Sequence, residues 1–417
     1  MKILVVGGGG REHAFCWALS KSPNVRRIYC APGNAGTAQV AQNVDIKNTD
    51  FAGLIDFAKS ECIDLTICPM DEPLVKGIVD DFAEAGLLIF GPSKAAAQIE
   101  GSKVYARDFM LRYNIPTMAR ETFDNYQDAM AYASAQTRFP LWIKTDGLAA
   151  GKGAIGCYNM EEVESALREI LVDRRFGDSG NKVVIEEHLD GVECSVLTFC
   201  DGVTVVPMPG AMDHKAIYDG NKGPNTGGMG IITPNPHYDE KMAKQCMEEI
   251  FLPTMAGLRQ DGREFVGVLF FGLMLTADGP KVLEYNCRPG DPETQALLPL
   301  LDTDLLEIIT ACLDKNLDNL EIKWKDSAIC CVMAASGGYP GDYETGRPIS
   351  GLKDFGEDIL VFHSGTKCVG EDIVTSGGRV LCISAMDADL AQAKAKAYAA
   401  LSNIRFDDMH FRNDIGG

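Results

Sequence analysis

The sequence predicts a multidomain protein of combined α/β and α+β class: a doubly wound N-terminal domain, an α+β body and a small C-terminal α+β domain. The first hundred residues alternate short apolar runs with amphipathic stretches. From about Ser102 that order gives way to clustered strands, and a polar connector at 317–325 precedes a last strand-rich segment. At 417 residues the chain also exceeds what a single core usually spans. The expected domains are 1–101, 102–326 and 327–417.

In the first domain, runs at 2–6, 27–30, 63–68 and 87–90 read as strands, and 11–20, 51–60 and 74–85 as helices. Strict alternation of the two implies a parallel sheet, whose ligands sit at the carboxyl ends of its strands. The body begins with a helix and continues with strands at 141–144, 183–187, 194–200 and 203–208 and a long helix at 240–259. Strands at 265–276 and 281–286 are joined by Ala277-Asp278-Gly279-Pro280, a turn signal that predicts a hairpin. The last domain holds strands at 328–335, 359–363 and 379–384, and an alanine-rich helix at 390–401.

The 59 acidic and 39 basic residues leave a net charge of −20, which opposes docking on nucleic acid or an anionic membrane. Such a chain still binds ATP where local amides, lysines and a cation set the potential of a cleft. The 14 cysteines are scattered and contain no C-x-x-C pair, so they read as reduced. The apolar run Ile3-Leu4-Val5-Val6 is far shorter than a signal segment or membrane span, and a cytoplasmic protein is expected.

Gly7-Gly8-Gly9-Gly10 follows a strand and opens a helix, where free amides hold anions. A dinucleotide fingerprint starting at Gly7 and Gly9 requires glycine at position 12, which is Glu12. The second strand also ends without a ribose-binding carboxylate. NAD binding is therefore the weaker reading of this loop, and a phosphate-bearing substrate the alternative. Gly147 to Gly153 resembles a Walker A loop in outline, but it has three residues between its first glycines and Gly153 in place of Ser or Thr. It reads either as a flap after the strand bearing Lys144 or as a plain hairpin turn.

Glu186 and Glu193 flank a strand end and suit an adenine amine and ribose hydroxyls, although acidic strand ends are commonly just solvated. In Leu283-Glu284-Tyr285-Asn286-Cys287-Arg288, alternation puts Glu284 and Asn286 on one face, a hard-oxygen pair suited to Mg²⁺, or else to solvent. Leu283, Tyr285 and Cys287 would then face the core. Arg288 is placed to stabilise a transferring phosphoryl group. Asp213-His214-Lys215 and 223–230 concentrate charge and glycine in a functional loop. His214 suits a positional role ahead of a basic one. The six histidines form no zinc spacing, and no nucleophile motif is present. These are parts of a phosphoryl-transfer site that works by positioning and charge neutralisation.

Taken together, GGGGREHA (7–14), APGNAGTA (31–38), GSKVYARD (101–108), KTDGLAAGKG (144–153), DHK (213–215), GPNTGGMG (223–230), LEYNCRPGDPETQ (283–295) and TSGGRV (375–380) resemble the glycinamide ribonucleotide synthetase family over essentially the whole chain. The resemblance implies an ATP-grasp core with a mobile lid at about 120–190. ATP contacts are then expected from Lys103, Lys144, Gly151, Lys152, Gly153, Glu186, Glu187, Leu189 and Glu193, and Mg²⁺ or Mn²⁺ on Glu284 and Asn286. Arg288 and Asp213 become the expected catalytic residues. Substrate contacts fall to Gly9, Arg11, Glu12, Asp71, Asp213, Asn225, Thr226, Arg288 and Asp291.

The implied reaction joins glycine to 5-phosphoribosylamine with ATP through glycyl phosphate, the second step of purine biosynthesis, in a monomer or weak homodimer. Two positions depart from the family pattern: Asp71 replaces a glutamate and Pro289 a phenylalanine. The rival readings are another purine-pathway ATP-grasp enzyme (a carboxylase or formyltransferase), an NAD-dependent oxidoreductase, and a catalytically dead binding protein.

Overall fold

The structure is a computed structural model and describes residues 1–147, 153–352 and 355–417. At its N-terminal end Lys2–Gly7 is the central strand of a five-stranded parallel sheet. Arg27–Pro32 and Gln42–Asn43 lie on one side of it, Leu65–Ile67 and Ile89–Phe90 on the other. Ile3, Leu4, Val5 and Val6 are wholly buried, as a parallel strand covered on both faces requires. Strand order reverses at Lys2–Gly7, so the glycine loop after it opens on the crevice where such sheets bind ligands. The helix expected over 74–85 is two helices, Asp71–Lys76 and Ile78–Glu84. They are split at Gly77, whose φ of +104° closes the first one.

Two antiparallel four-stranded sheets make the body. One runs in the order Val205–Pro207, Val192–Asp201, Val266–Thr276, Gly279–Asn286. The other runs Arg120–Phe123, Val183–Glu187, Leu141–Thr145, Ala154–Cys157. Helices Tyr126–Ser134 and Met160–Leu167 back the second sheet, started by Asn125 and Asn159, whose side chains accept the amides of Asp128 and Glu162. Ala129, Ile143, Val163, Leu167 and Ile185 form a separate core beneath it.

The hairpin expected at 277–280 is present, with Thr276 opposite Gly279. Its register slips once: Gly272 faces Glu284 while Leu273 faces Val282, leaving Leu283 as the extra residue of a bulge. The placement of Leu283 in the core beside Tyr285 and Cys287 is thereby corrected. A one-residue slip turns a side chain to the other face, and Leu283 packs instead with Met118, Leu189 and Met274.

The third sheet runs Met212–Asp213, Gly230–Thr233, Ala328–Ala335, Arg379–Asp387, Ile359–His363. Its first two strands come from the middle of the chain, so the DHK and glycine-rich segments are hydrogen-bonded into the sheet of the C-terminal unit. Helix Leu390–Leu401 covers that sheet with Ala393, Ala397 and Leu401.

The C-terminal unit meets helix Gly10–Ser20 through two buried histidines: the His363 amide donates to His13 Nδ1 at 2.9 Å. Burial lowers the His13 pKa to about 3, helped by His363, and lowers that of His363 to about 4. A depressed folded-state pKa gives stability that is complete above the unfolded value near 6.5 and is lost as pH falls toward the folded values, on the order of a few kcal/mol per ring. The melting temperature is therefore expected to fall steadily from pH 7 to pH 4.5. H13N should flatten that slope, and an unchanged slope in this variant would contradict the assignment.

Candidate active site

Four cations from four separate elements converge on one carboxylate. Glu284 lies near the end of Gly279–Asn286, opposite Gly272, where an added Cβ would stand 3.0 Å from Glu284 Cγ. Lys103 opens helix Lys103–Arg112, whose N-cap Ser102 accepts the Tyr105 amide at 3.1 Å. Lys144 projects from Leu141–Thr145, Lys215 follows Met212–Asp213, and Arg288 lies just past Asn286. Burial raises the Glu284 pKa, but Lys215, Lys144, Lys103 and Arg288 together hold it below the usual value. Burial lowers Lys103. Lys215 is raised: burial opposes its charge, and Glu193, Glu284 and Asp213 more than offset that.

Around this centre, Lys144 Nζ lies 2.7 Å from Glu186, which also receives Arg120 at 3.0 Å. Lys215 Nζ lies 2.9 Å from Glu193, and Lys103 Nζ donates to the Gly147 carbonyl at 3.3 Å. Glu186 is almost fully buried between its two cations, whereas Glu187 is exposed and accepts the Ala119 amide. Leu189 belongs to the small apolar cluster with Met118, Met274 and Leu283, next to these acids. Apolar side chains beside polar groups are the kind of surface a nucleobase packs on.

Gly151 and Lys152 lie outside the described residues. Gly153 is buried, and its carbonyl accepts the Thr145 amide at 2.9 Å, so the glycine-rich segment connects the two strands of an antiparallel hairpin.

Among the described residues no three His, Cys, Asp or Glu side chains come together as a metal cage. Glu186, Glu193 and Glu100 are each held by a cation, whereas Glu284 and Asn286 sit two residues apart on one strand, and Asn286 Oδ1 accepts from Arg288 at 3.0 Å. An amide oxygen has a second lone pair, so this bond does not exclude a ligand role. Two protein oxygens suit a Mg²⁺-like ion that keeps its waters and arrives with phosphates, and they do not suit an all-protein cage.

The glycine loop faces the other side of Arg288. Glu12 accepts the Gly9 amide at 2.6 Å and pairs with Arg11 at 2.6 Å. The place where a dinucleotide's pyrophosphate would meet the helix amides thus carries a fixed carboxylate, which corrects the NAD reading on electrostatic grounds. Arg11 donates to the Pro289 carbonyl at 3.1 Å, so the loop uses a backbone atom at the position where the sequence departs from the pattern. Arg288 pairs with Glu100 at 3.1 Å and approaches Asp71 at 3.8 Å. Burial would raise the Asp71 pKa, but Arg288 and Arg11 hold it below normal.

Asp291 accepts from Gln295 at 2.8 Å and faces Arg379 at 3.4 Å. Arg379 also donates to the carbonyls of Gly227 and Asp291.

Asp213 is held near this junction: a Cβ on Gly228 would meet its Oδ1 at 2.8 Å and Pro292 at 2.6 Å. Its Oδ1 is buried without a hydrogen-bond partner. Burial, then the neighbouring Glu293 carboxylate, raises the Asp213 pKa well above the carboxylate range. Glu293 is itself raised by burial and accepts from Ser195 at 3.0 Å. Thr226 donates its hydroxyl to the Lys215 carbonyl and accepts the Gly228 amide, while Asn225 is exposed. His214 is buried, accepts the Gly416 amide at 3.2 Å and is lowered by burial to about 4, which fits a positional role.

Lys215, Arg120, Glu293 and Arg379 carry no role in the sequence reading, yet all stand in this network. Lys215 lies within the DHK run and Arg379 within TSGGRV, so position inside a motif was the available signal. Arg120 had none, because its partner Glu186 is distant in sequence.

Sequence profiles of three phosphoribosylglycinamide synthetase domains match the chain: the N domain over residues 1–100, the ATP-grasp (A) domain over 101–294 and the C domain over 329–417. A phosphoribosylamine–glycine ligase of Clostridium acetobutylicum is 48% identical over 418 residues, covering 100% of this chain and 99% of that one. One from Escherichia coli O157:H7 is 47% identical over 421 residues, covering 100% and 98%. Among solved structures, the phosphoribosylamine–glycine ligase of Thermotoga maritima superposes with a TM-score of 0.85 at 30% identity, covering 100% of both chains.

Proposed function

The chain belongs to the phosphoribosylglycinamide synthetase family and is an ATP-grasp enzyme, an ATP-dependent ligase that joins glycine to phosphoribosylamine; from this premise we propose how its cleft does so. The observation that carries the reading is the convergence of Lys103, Lys144, Lys215 and Arg288 on Glu284, together with the apolar cluster of Met118, Leu189, Met274 and Leu283.

The base of ATP packs against that cluster, with Glu186, Glu187 and Glu193 beside it, and the phosphates lie among the three lysines. Glu284 and Asn286 hold a divalent cation, Mg²⁺ or Mn²⁺, whose contribution is to neutralise phosphate charge and polarise the phosphoryl oxygens. On nucleotide binding, Glu186 keeps Arg120 as its partner while Lys144 turns from the carboxylate to phosphate.

Glycine's carboxylate oxygen attacks the γ-phosphorus, giving glycyl phosphate and ADP, with Arg288 facing the charge that develops. The amine of 5-phosphoribosylamine then attacks the carbonyl carbon. The C–N bond forms, the C–O bond to phosphate breaks, and Asp213 takes the proton the amine gives up. Gly9, Arg11, Glu12, Asp71, Asn225, Thr226 and Asp291 line the ribosyl side. The three domains, 1–101, 102–326 and 327–417, each contribute to this enclosure, which excludes water from the acyl phosphate. No helix among the described residues is long and apolar enough to cross a membrane. A cytoplasmic monomer or weak homodimer is part of the proposal.

The test is isotopic: with ¹⁸O-labelled glycine carboxylate, one labelled oxygen is expected in the released phosphate, because that oxygen bridges carbon and phosphorus in the intermediate. Phosphate free of label would contradict the acyl-phosphate route.

A further inference from the structure

We propose that Arg412 and Asp414 are positioning residues for the active-site segment 213–228, and that their ion pair, behind the hairpin of Ala216–Tyr218 and Lys222–Asn225, sets where Asp213 and Lys215 stand in the cleft. The strands bearing DHK and TSGGRV belong to one sheet, and residues 410–416 bond to the segment that follows DHK at His214, Ala216, Ile217, Asp219 and Gly220. Arg412, only 1% exposed, is the largest fully buried side chain among the described residues. Its guanidinium pairs with Asp414 through two bonds of 2.7 and 2.8 Å and donates to the Ala216 carbonyl at 3.1 Å. Asp414 in turn accepts the Gly220 amide at 2.7 Å. The pair therefore spends its donors and acceptors on backbone one residue beyond Lys215 and at the hairpin turn.

The neighbours of the pair act on the same strip. The Gly416 amide donates to His214 Nε2 at 3.2 Å, His410 Nε2 lies 2.9 Å from the Ile217 carbonyl, and Asn413 makes two bonds to Asp219. At the far end of the segment, Arg379 of the same unit holds the carbonyls of Gly227 and Gly228. Arg412 is buried while Asp414 is 34% exposed, and an ion pair with a desolvated partner is a poor source of net stability, because the cost of desolvation offsets much of its attraction. What such a pair supplies is one defined geometry. Here that geometry is the path of the backbone that carries Asp213 and Lys215, and a displacement of about 1 Å at reacting groups costs on the order of a hundredfold in rate.

The proposal rests on the reading that Asp213 and Lys215 face the substrates. The test compares R412M, D414N and D219A with the exposed-side control R347M, measuring kcat, KM for ATP, the ADP dissociation constant and thermal stability. Expected are a fall in kcat of about tenfold to a hundredfold for R412M and D414N, and a smaller fall for D219A. ADP affinity should stay within about twofold of the parent, because the base slot lies on other elements. R347M should keep the parental kcat whatever its melting temperature. Parental kcat in R412M and D414N, with stability alone reduced, would overturn the proposal. Should R412M fail to fold, D219A decides, since it removes only the two exposed bonds to Asn413, and parental kcat there overturns it equally. D213N separates the two levels: full turnover in that variant sinks the reading of the cleft, whereas a dead D213N beside an unaffected D219A and D414N sinks only the positioning role.

Discussion

Replacing Glu284 with alanine is expected to lower kcat by about three orders of magnitude or more while the nucleotide base still binds. A cation that bridges phosphates contributes several kcal/mol to phosphoryl transfer, and each 1.36 kcal/mol is tenfold in rate. Among the described residues no group of three His, Cys, Asp or Glu side chains is present to replace the lost ligand, and Asn286 already shares its oxygen with Arg288. Losing the carboxylate also removes the main counter-charge of Lys103, which is costly for a desolvated ammonium, while Lys144, Lys215 and Arg288 keep Glu186, Glu193 and Glu100. E284Q keeps the shape but not the charge, so it separates loss of the carboxylate from loss of packing, and it should still fail to turn over. The measurement is kcat against Mg²⁺ concentration, and E284A turnover equal to the parent at limiting Mg²⁺ would contradict the role.

Asp213 should matter nearly as much, for a different step. D213N is expected to lower kcat by about 10²- to 10³-fold, the range of a positioned general base, with ADP affinity unchanged. Burial and the Glu293 carboxylate favour the protonated form of Asp213, so its base form is lost at a higher pH than for an ordinary carboxylate. The sign follows: kcat of the parent should fall on the acid side at a pH well above 4, and the residual rate of D213N should lack that limb. The apparent pKa belongs to the Asp213–Glu293 pair jointly, so E293Q is expected to move the limb to lower pH. A parental limb that persists unchanged in D213N would assign the proton transfer elsewhere.

Much of the fold was legible locally. Runs bounded by turn residues, such as Val183–Glu187, Ala328–Ala335 and Ile359–His363, and the helices Phe51–Ser60 and Leu390–Leu401, have the bounds their apolar patterns indicate. Short strands were not: Arg120–Phe123, Ala154–Cys157 and Gly230–Thr233 have four residues each, and the first and last of them take their strand character from partners remote in sequence. Helices Tyr126–Ser134 and Met160–Leu167 did carry a signal, an asparagine cap followed by acidic residues in the first turn.

The site shows the same division. Glu284 and Asn286 stood out because a carboxylate and an amide interrupt an apolar strand. The apolar cluster of Met118, Leu189 and Met274 did not, because Leu283 joins it only through a bulge, which no alternation rule foresees. The pairing of Lys215 with Glu193 and the reach of Arg379 to Gly227 are products of tertiary folding.

The central claim is that Glu284 and Asn286 hold a cation against nucleotide phosphates among Lys103, Lys144 and Lys215. A crystal structure with ADP and Mg²⁺ tests it most directly. The account predicts adenine between Met118, Leu189, Met274 and Leu283, both phosphates within hydrogen-bond reach of the lysines, and the cation on the Glu284 and Asn286 oxygens. Nucleotide bound elsewhere, or a cation with neither of those two side chains among its ligands, would contradict it.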